Sequence, residues 1–235
     1  MTALDILRSA VDALALIGAA PWRLLLATVV FLVVAEGLMF IPRVGFVLKL
    51  CTASLLAVQF LAMLKVAAVG EPPALRILID AWSLPPATMG VLFLSGLLPF
   101  AVGIGLLAAR GPRERIRYFF GNILRDRPPA PRDFLVFKMA MHLVAIPFTF
   151  VAPGVVLKGY IGWHALEQGL LAALLHWQAP LALLLFGVAF EIFAMALPKL
   201  LPRRIGAAVV LASLLPFVLF TFAFTYTLSV RAFGI

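Results

Sequence analysis

Four residues inside long apolar runs have the chemistry that would matter most: Glu36, Lys49, His142 and Glu191. A charged side chain in hydrocarbon costs at least about 2.5–3.5 kcal/mol on insertion scales, so each asks for a partner or a purpose. Carboxylates beside a lysine or a histidine can line a proton or solute path. Two groupings are open: Glu36 with Lys49 across a tight hairpin, and Glu191 with His142. A structural alternative stands beside them. Lys49 and Lys65 can extend to the interface along their apolar stems, and the glutamates can pair structurally or stay neutral through burial.

Other reactive side chains do not assemble into a motif. His164 and Glu167 lie one helical turn apart, with His176 three turns further on. A metal needs three or four converging ligands, so neither a metal nor a cofactor is expected. Ser95 has no histidine or aspartate at a spacing that would make it a nucleophile. The HExxH, GxSxG, phosphate-loop and dinucleotide-glycine patterns are missing, so no catalytic residue and no enzyme activity is expected. The single cysteine, Cys51, sits in an apolar run and reads as a small buried hydrophobe.

The elements that must position these residues follow from composition. The 235 residues are 64% hydrophobic and 12% charged, with mean hydropathy +1.13. Soluble domains sit near ~45–50% apolar and ~25% charged. Too little polar surface remains to face water, so lipid must cover the rest. A crossing helix needs about 20 apolar residues, and six such runs use nearly the whole chain.

The expected fold is all-α: a polytopic membrane protein with six transmembrane helices and additional amphipathic helices lying in the interface. It forms one membrane domain over 1–235. Residues 1–19 make an interfacial helix, with Leu4, Leu7, Val11 and Leu14 on one face and Thr2 and Asp5 as its cap. The first apolar run is broken by Asp5, Arg8 and Asp12, so a cleavable leader is not expected. Spans 1–3 fill 22–109, at about 22–41, 44–69 and 86–109. Spans 4–6 fill 133–230, at about 133–157, 178–197 and 205–230. Segments 74–83 and 163–176 read as further interfacial helices, the first with Arg76 and Asp80 as an i,i+4 pair. Gly90, Gly96, Gly103 and Gly105 in span 3 would allow close packing.

Residues 110–132 are the strongly polar stretch. They hold seven arginines, among them Arg113, Arg115, Arg117, Arg125 and Arg127, against Glu114 and Asp126. Ile116, Phe119, Phe120, Ile123 and Leu124 recur at helical spacing, so a basic amphipathic helix on a membrane surface is expected. Its arginines would contact anionic headgroups or a partner. The overall balance is 19 Lys+Arg against 10 Asp+Glu. With no basic module outside the spans, nucleic acid is not an expected partner. Basic residues crowd the loops after spans 1, 3 and 5, so positive-inside orientation places 110–132 in the cytoplasm and both termini in the periplasm.

Shifting the chain by 91 residues lays 74–96 over 165–187 without a gap, pairing Ala74 with Ala165, Leu84 with Leu175 and Gly96 with Gly187. Each unit is then span, interfacial helix, span, a parallel internal repeat. Five segments carry a resemblance: Ile41-Pro42-Arg43-Val44-Gly45; Gly70-Glu71-Pro72 with the following Ala74–Trp82; Val151-Ala152-Pro153; Trp163-His164-Ala165-Leu166; and the apolar run ending near Tyr226. On these the chain resembles the YciC-like group of uncharacterised bacterial inner-membrane proteins, over most of its length. The resemblance implies a six-span membrane fold and supplies neither an activity nor a catalytic residue. The arginine-rich loop is long for that group.

Three functions fit these observations. The first is a non-enzymatic accessory or scaffold protein of a bacterial inner membrane, binding anionic lipid and other membrane subunits or further copies of itself. The second is a small proton-coupled transporter or channel-like protein built around Glu36, Glu191 and His142. The third is a lipid-modifying membrane enzyme.

Overall fold

A computed structural model describes residues 1–38, 41, 44–110 and 131–235. They are predominantly helical, with no strand among the described residues. The helices are α1 (Ala3–Ala19), α2 (Pro21–Leu38), α3 (Gly45–Ala68), α4 (Pro86–Arg110), α5 (Pro131–Ala145), α6 (Val151–Lys158), α7 (Gly162–Leu175), α8 (Gln178–Leu200) and α9 (Arg203–Ala232). Six helical stretches are long and apolar enough to cross a membrane: Pro21–Leu38, Val47–Ala68, Pro86–Leu106, Val136–Lys158, Gln178–Leu197 and Ala208–Ala232. They match the six expected runs, because a 20-residue apolar stretch leaves its helical backbone no other way to satisfy its polar groups in lipid.

The second span, in α3, is the centre of the bundle. Of its residues 44% are buried, against 6% of the span in α8. Phe60, Met63, Leu64 and Leu55 of α3 are fully buried. Around α3 the helices divide into two bodies. In one, α4 packs along α5 and α7, and α7 packs along α6. In the other, α9 packs along α1, α8 and α2. The fourth and fifth spans touch each other only sparsely.

The fourth span is broken. The helix α5 ends at Ala145, a 3-10 turn covers Ile146–Phe148, and α6 resumes at Val151. Pro147 lacks an N–H, and its ring crowds the carbonyl one turn earlier, which explains the break. Pro99 and Pro216, by contrast, lie inside continuous helices.

Segment 74–83 departs from the expected helix. It forms two 3-10 turns, Leu75–Leu78 and Asp80–Ser83. Proline pairs Pro72-Pro73 and Pro85-Pro86 clamp it, and residues before prolines avoid the α region. The short span between the clamps takes the tighter turn. Leu78 is its buried anchor, and Arg76 and Asp80 form no ion pair among the described residues.

The two halves paired by the 91-residue shift differ in form: turns at 75–83 stand against the α-helix α7, and a continuous α3 against a broken fourth span. Equivalent positions do meet at one contact, where Lys65 Nζ donates to the Val156 carbonyl at 2.9 Å, 91 residues on.

Helix α1 is capped as its first residues predict. Thr2 N–H donates to Asp5 Oδ2 at 2.7 Å, and Asp5 N–H returns to Thr2 Oγ1 at 3.2 Å. Thr227 Oγ1 donates to the Ser9 carbonyl at 2.8 Å, and Arg231 meets Asp12 at 2.6 Å. These bonds hold the first and last helices together, so both chain ends lie at one end of the bundle.

Candidate functional site

Both carboxylates of the apolar runs are paired with lysines. Glu36 meets Lys49 at 2.5 Å, joining α2 to α3 across the hairpin. Glu191 meets Lys138 at 2.9 Å, joining α8 to α5. Spacing suggested His142 as the partner of Glu191, and the structure places Lys138 there instead. Lys138 and His142 lie one turn apart on α5, and the ammonium, with its longer reach and full charge, takes the carboxylate. Glu36 remains 56% exposed and Glu191 24%, so the second carboxylate is drawn further into the bundle than the first.

One turn along, His142 stands opposite Gly187. The nearest atom to a Cβ built at Gly187 is His142 Cε1, at 3.8 Å. The fourth and fifth spans thus run antiparallel, Lys138 facing Glu191 and His142 facing Gly187. Small Gly187 and the 3-10 break leave the seam between them open. A cavity of about 400 Å³ lies there, lined by residues of α3, α4, α5, α8 and α9 and by the broken turn.

Its polar groups are His142, Ser54, Ser95, Thr149, Thr221 and Thr225. Each hydroxyl donates to a carbonyl of its own helix or turn: Ser54 to Leu50 at 2.9 Å, Ser95 to Leu92 at 2.7 Å, Thr149 to Ile146, Thr221 to Phe217 and Thr225 to Thr221, each at 2.8 Å. Their donors are therefore engaged, and their oxygens keep lone pairs for acceptance. His142 Nε2 is buried with no hydrogen-bond partner in the protein. Leu92, Ile146, Phe148, Leu183 and Phe217 supply apolar wall.

Among protein-family models, curated proteins and solved structures, none matches this chain. The site therefore rests on its own geometry.

The remaining expected residues are scattered. His164 Nδ1 lies 3.8 Å from Glu167 on an exposed face of α7, and its ring packs edge-on against Tyr160 at 4.9 Å. No group of three or more His, Cys, Asp or Glu able to hold a metal occurs among the described residues. Of the four span-3 glycines, Gly96 packs against Ser54 and Gly103 against Phe137, while Gly90 and Gly105 face open space. Gly169 and Gly187 are tight or site-lining glycines that sequence alone does not distinguish from others. Arg113, Arg115, Arg117, Arg125 and Arg127 lie outside the described residues.

Proposed function

We propose that this chain is a non-enzymatic accessory or scaffold protein of a bacterial inner membrane, which binds lipid and associates with other membrane subunits or with copies of itself. The observation that supports this best is the division of α1 into three faces. Ser9, Ala13 and Leu16 are buried against the bundle. Leu4, Leu7, Val11 and Leu14, 53–63% exposed, point the opposite way at 100° per residue. Arg8 and Asp12 form a polar stripe between them. A helix of this kind suits the interface: polar stripe to water, one flank on protein, the leucine flank in lipid or on a neighbouring subunit.

The basic stretch at 110–132 would then sit on the cytoplasmic leaflet and hold anionic headgroups. Native mass spectrometry from a mild detergent tests this. Wild type should retain anionic lipid, and replacing Arg113, Arg115 and Arg117 with Gln should weaken that retention at least about tenfold, given roughly 1 kcal/mol for each basic residue. Equal retention by the two proteins, or a lone chain free of lipid and subunits, would overturn the reading.

The cavity beside His142 favours a second reading, a small transporter or channel-like protein, since broken helices at mid-membrane suit solute sites. Glu36→Gln and Glu191→Gln should leave an accessory protein assembled but stop a carrier coupled to protons through those carboxylates.

A further inference from the structure

We propose that the cavity at the break in the fourth span is a binding site for a small, neutral, largely apolar molecule carrying a hydroxyl donor, such as a membrane-soluble phenol or alcohol. This goes beyond the accessory reading and does not depend on it. Four observations lead to it.

The first is the wall chemistry. Five hydroxyl-bearing side chains line one space, and each already donates to its own helix or turn, which leaves its oxygen as an acceptor. A guest that donates is matched there, and a guest that only accepts is not. The second is His142. Its Nε2 is buried without a protein partner, and a buried polar atom left unmatched costs about 1–3 kcal/mol. The ring lines the cavity, and a turn of it would bring that nitrogen to a guest hydroxyl, which would donate to it or accept from it according to tautomer.

The third is charge. No carboxylate lines the cavity, and Glu191, one turn beyond Gly187, already takes Lys138. Nothing there offsets a net positive charge within hydrocarbon, so an ammonium guest is disfavoured. The fourth is size and position. About 400 Å³ falls at the lower end of small-molecule pockets, which are mostly apolar with a few convergent polar groups and often lie between helices of bundles. The sparse contact between the fourth and fifth spans puts this one on a seam between two helical stretches long and apolar enough to cross a membrane, where a lipid-soluble guest is concentrated.

The test uses the full chain in nanodiscs, with empty nanodiscs as the partition control. The probes are 1-naphthol, its methyl ether and naphthalene, which share the apolar body and differ in the donor. Saturable binding of 1-naphthol to wild type is expected, with the ether and the hydrocarbon at least about tenfold weaker. His142→Phe and Thr225→Val should weaken 1-naphthol and leave the ether nearly unchanged. Leu185→Ala, on the outward face of α8, should alter neither. Equal affinity for all three probes, uptake that only matches empty nanodiscs, or full 1-naphthol binding by both cavity variants would overturn the proposal. If a variant fails to fold, the three-probe comparison on wild type decides alone.

Discussion

Removing the Lys138 ammonium would leave the Glu191 carboxylate in a membrane-spanning segment without the cation that now lies 2.9 Å away. Lys138→Met should therefore destabilise the protein by about 2–3 kcal/mol. The double variant Lys138→Met/Glu191→Gln should recover much of that loss, because neither partner is then left as an orphaned charge. Thermal unfolding in detergent measures both. At the exposed end of α1, the Thr2 backbone N–H, and then its hydroxyl, hold the Asp5 carboxyl below its ordinary value of 3.8. A lowered native pKa makes a contribution that is fully present above the unfolded pKa and is lost as pH falls through the native one. Asp5→Asn should thus reduce stability at neutral pH, and the two proteins should converge in acid below about pH 4. Single residues were legible where geometry constrained them. Glu36 and Lys49 flank a tight hairpin, so few partners could reach either. Glu191 had two cationic candidates one turn apart on the same face, and spacing does not separate them.

Glycine and threonine contacts fasten α7 to α6 and to α4. A Cβ at Gly169 would come within 2.7 Å of Val151 Cα, a backbone atom that cannot swing aside. Gly169→Ala should cost about 1–3 kcal/mol by overpacking, read as a lower unfolding temperature. Thr88 Oγ1 accepts the buried Gly162 N–H at 2.9 Å, so Thr88→Val should cost a similar ~1–3 kcal/mol through an unmatched donor. Span positions were legible because apolar length alone specifies them. The 3-10 turns at 75–83 were not, since Leu75, Leu78 and Ile79 fit either helical period and only the flanking prolines argue against the wider one. The identity of the tight glycines was likewise hidden: Gly90 and Gly96 look alike in a list of residues, yet one faces open space and the other Ser54.

The whole bundle places both chain ends together through Asp12–Arg231 and Thr227–Ser9. With the positive-inside orientation proposed above, alkaline phosphatase fused after Ile235 should be active, and fused near residue 120 inactive. The reverse pattern would invert the topology while leaving the six helices in place. Helix order and the pairing of the ends follow from an even number of crossings, but packing partners do not. In a lipid-facing protein both sides of a helix are apolar, so hydropathy leaves little record of which side is buried. That is why the seam between the fourth and fifth spans, and the cavity on it, emerge only in three dimensions.

In the proposed placement, α1, the turns at 75–83 and α7 all occupy the leaflet next to the chain ends. They add cross-sectional area to that leaflet. The exposed leucine flank of α1 inserts most readily where the headgroups of that leaflet are spread apart, so the protein would accumulate in small vesicles over large ones when inserted with its termini outward.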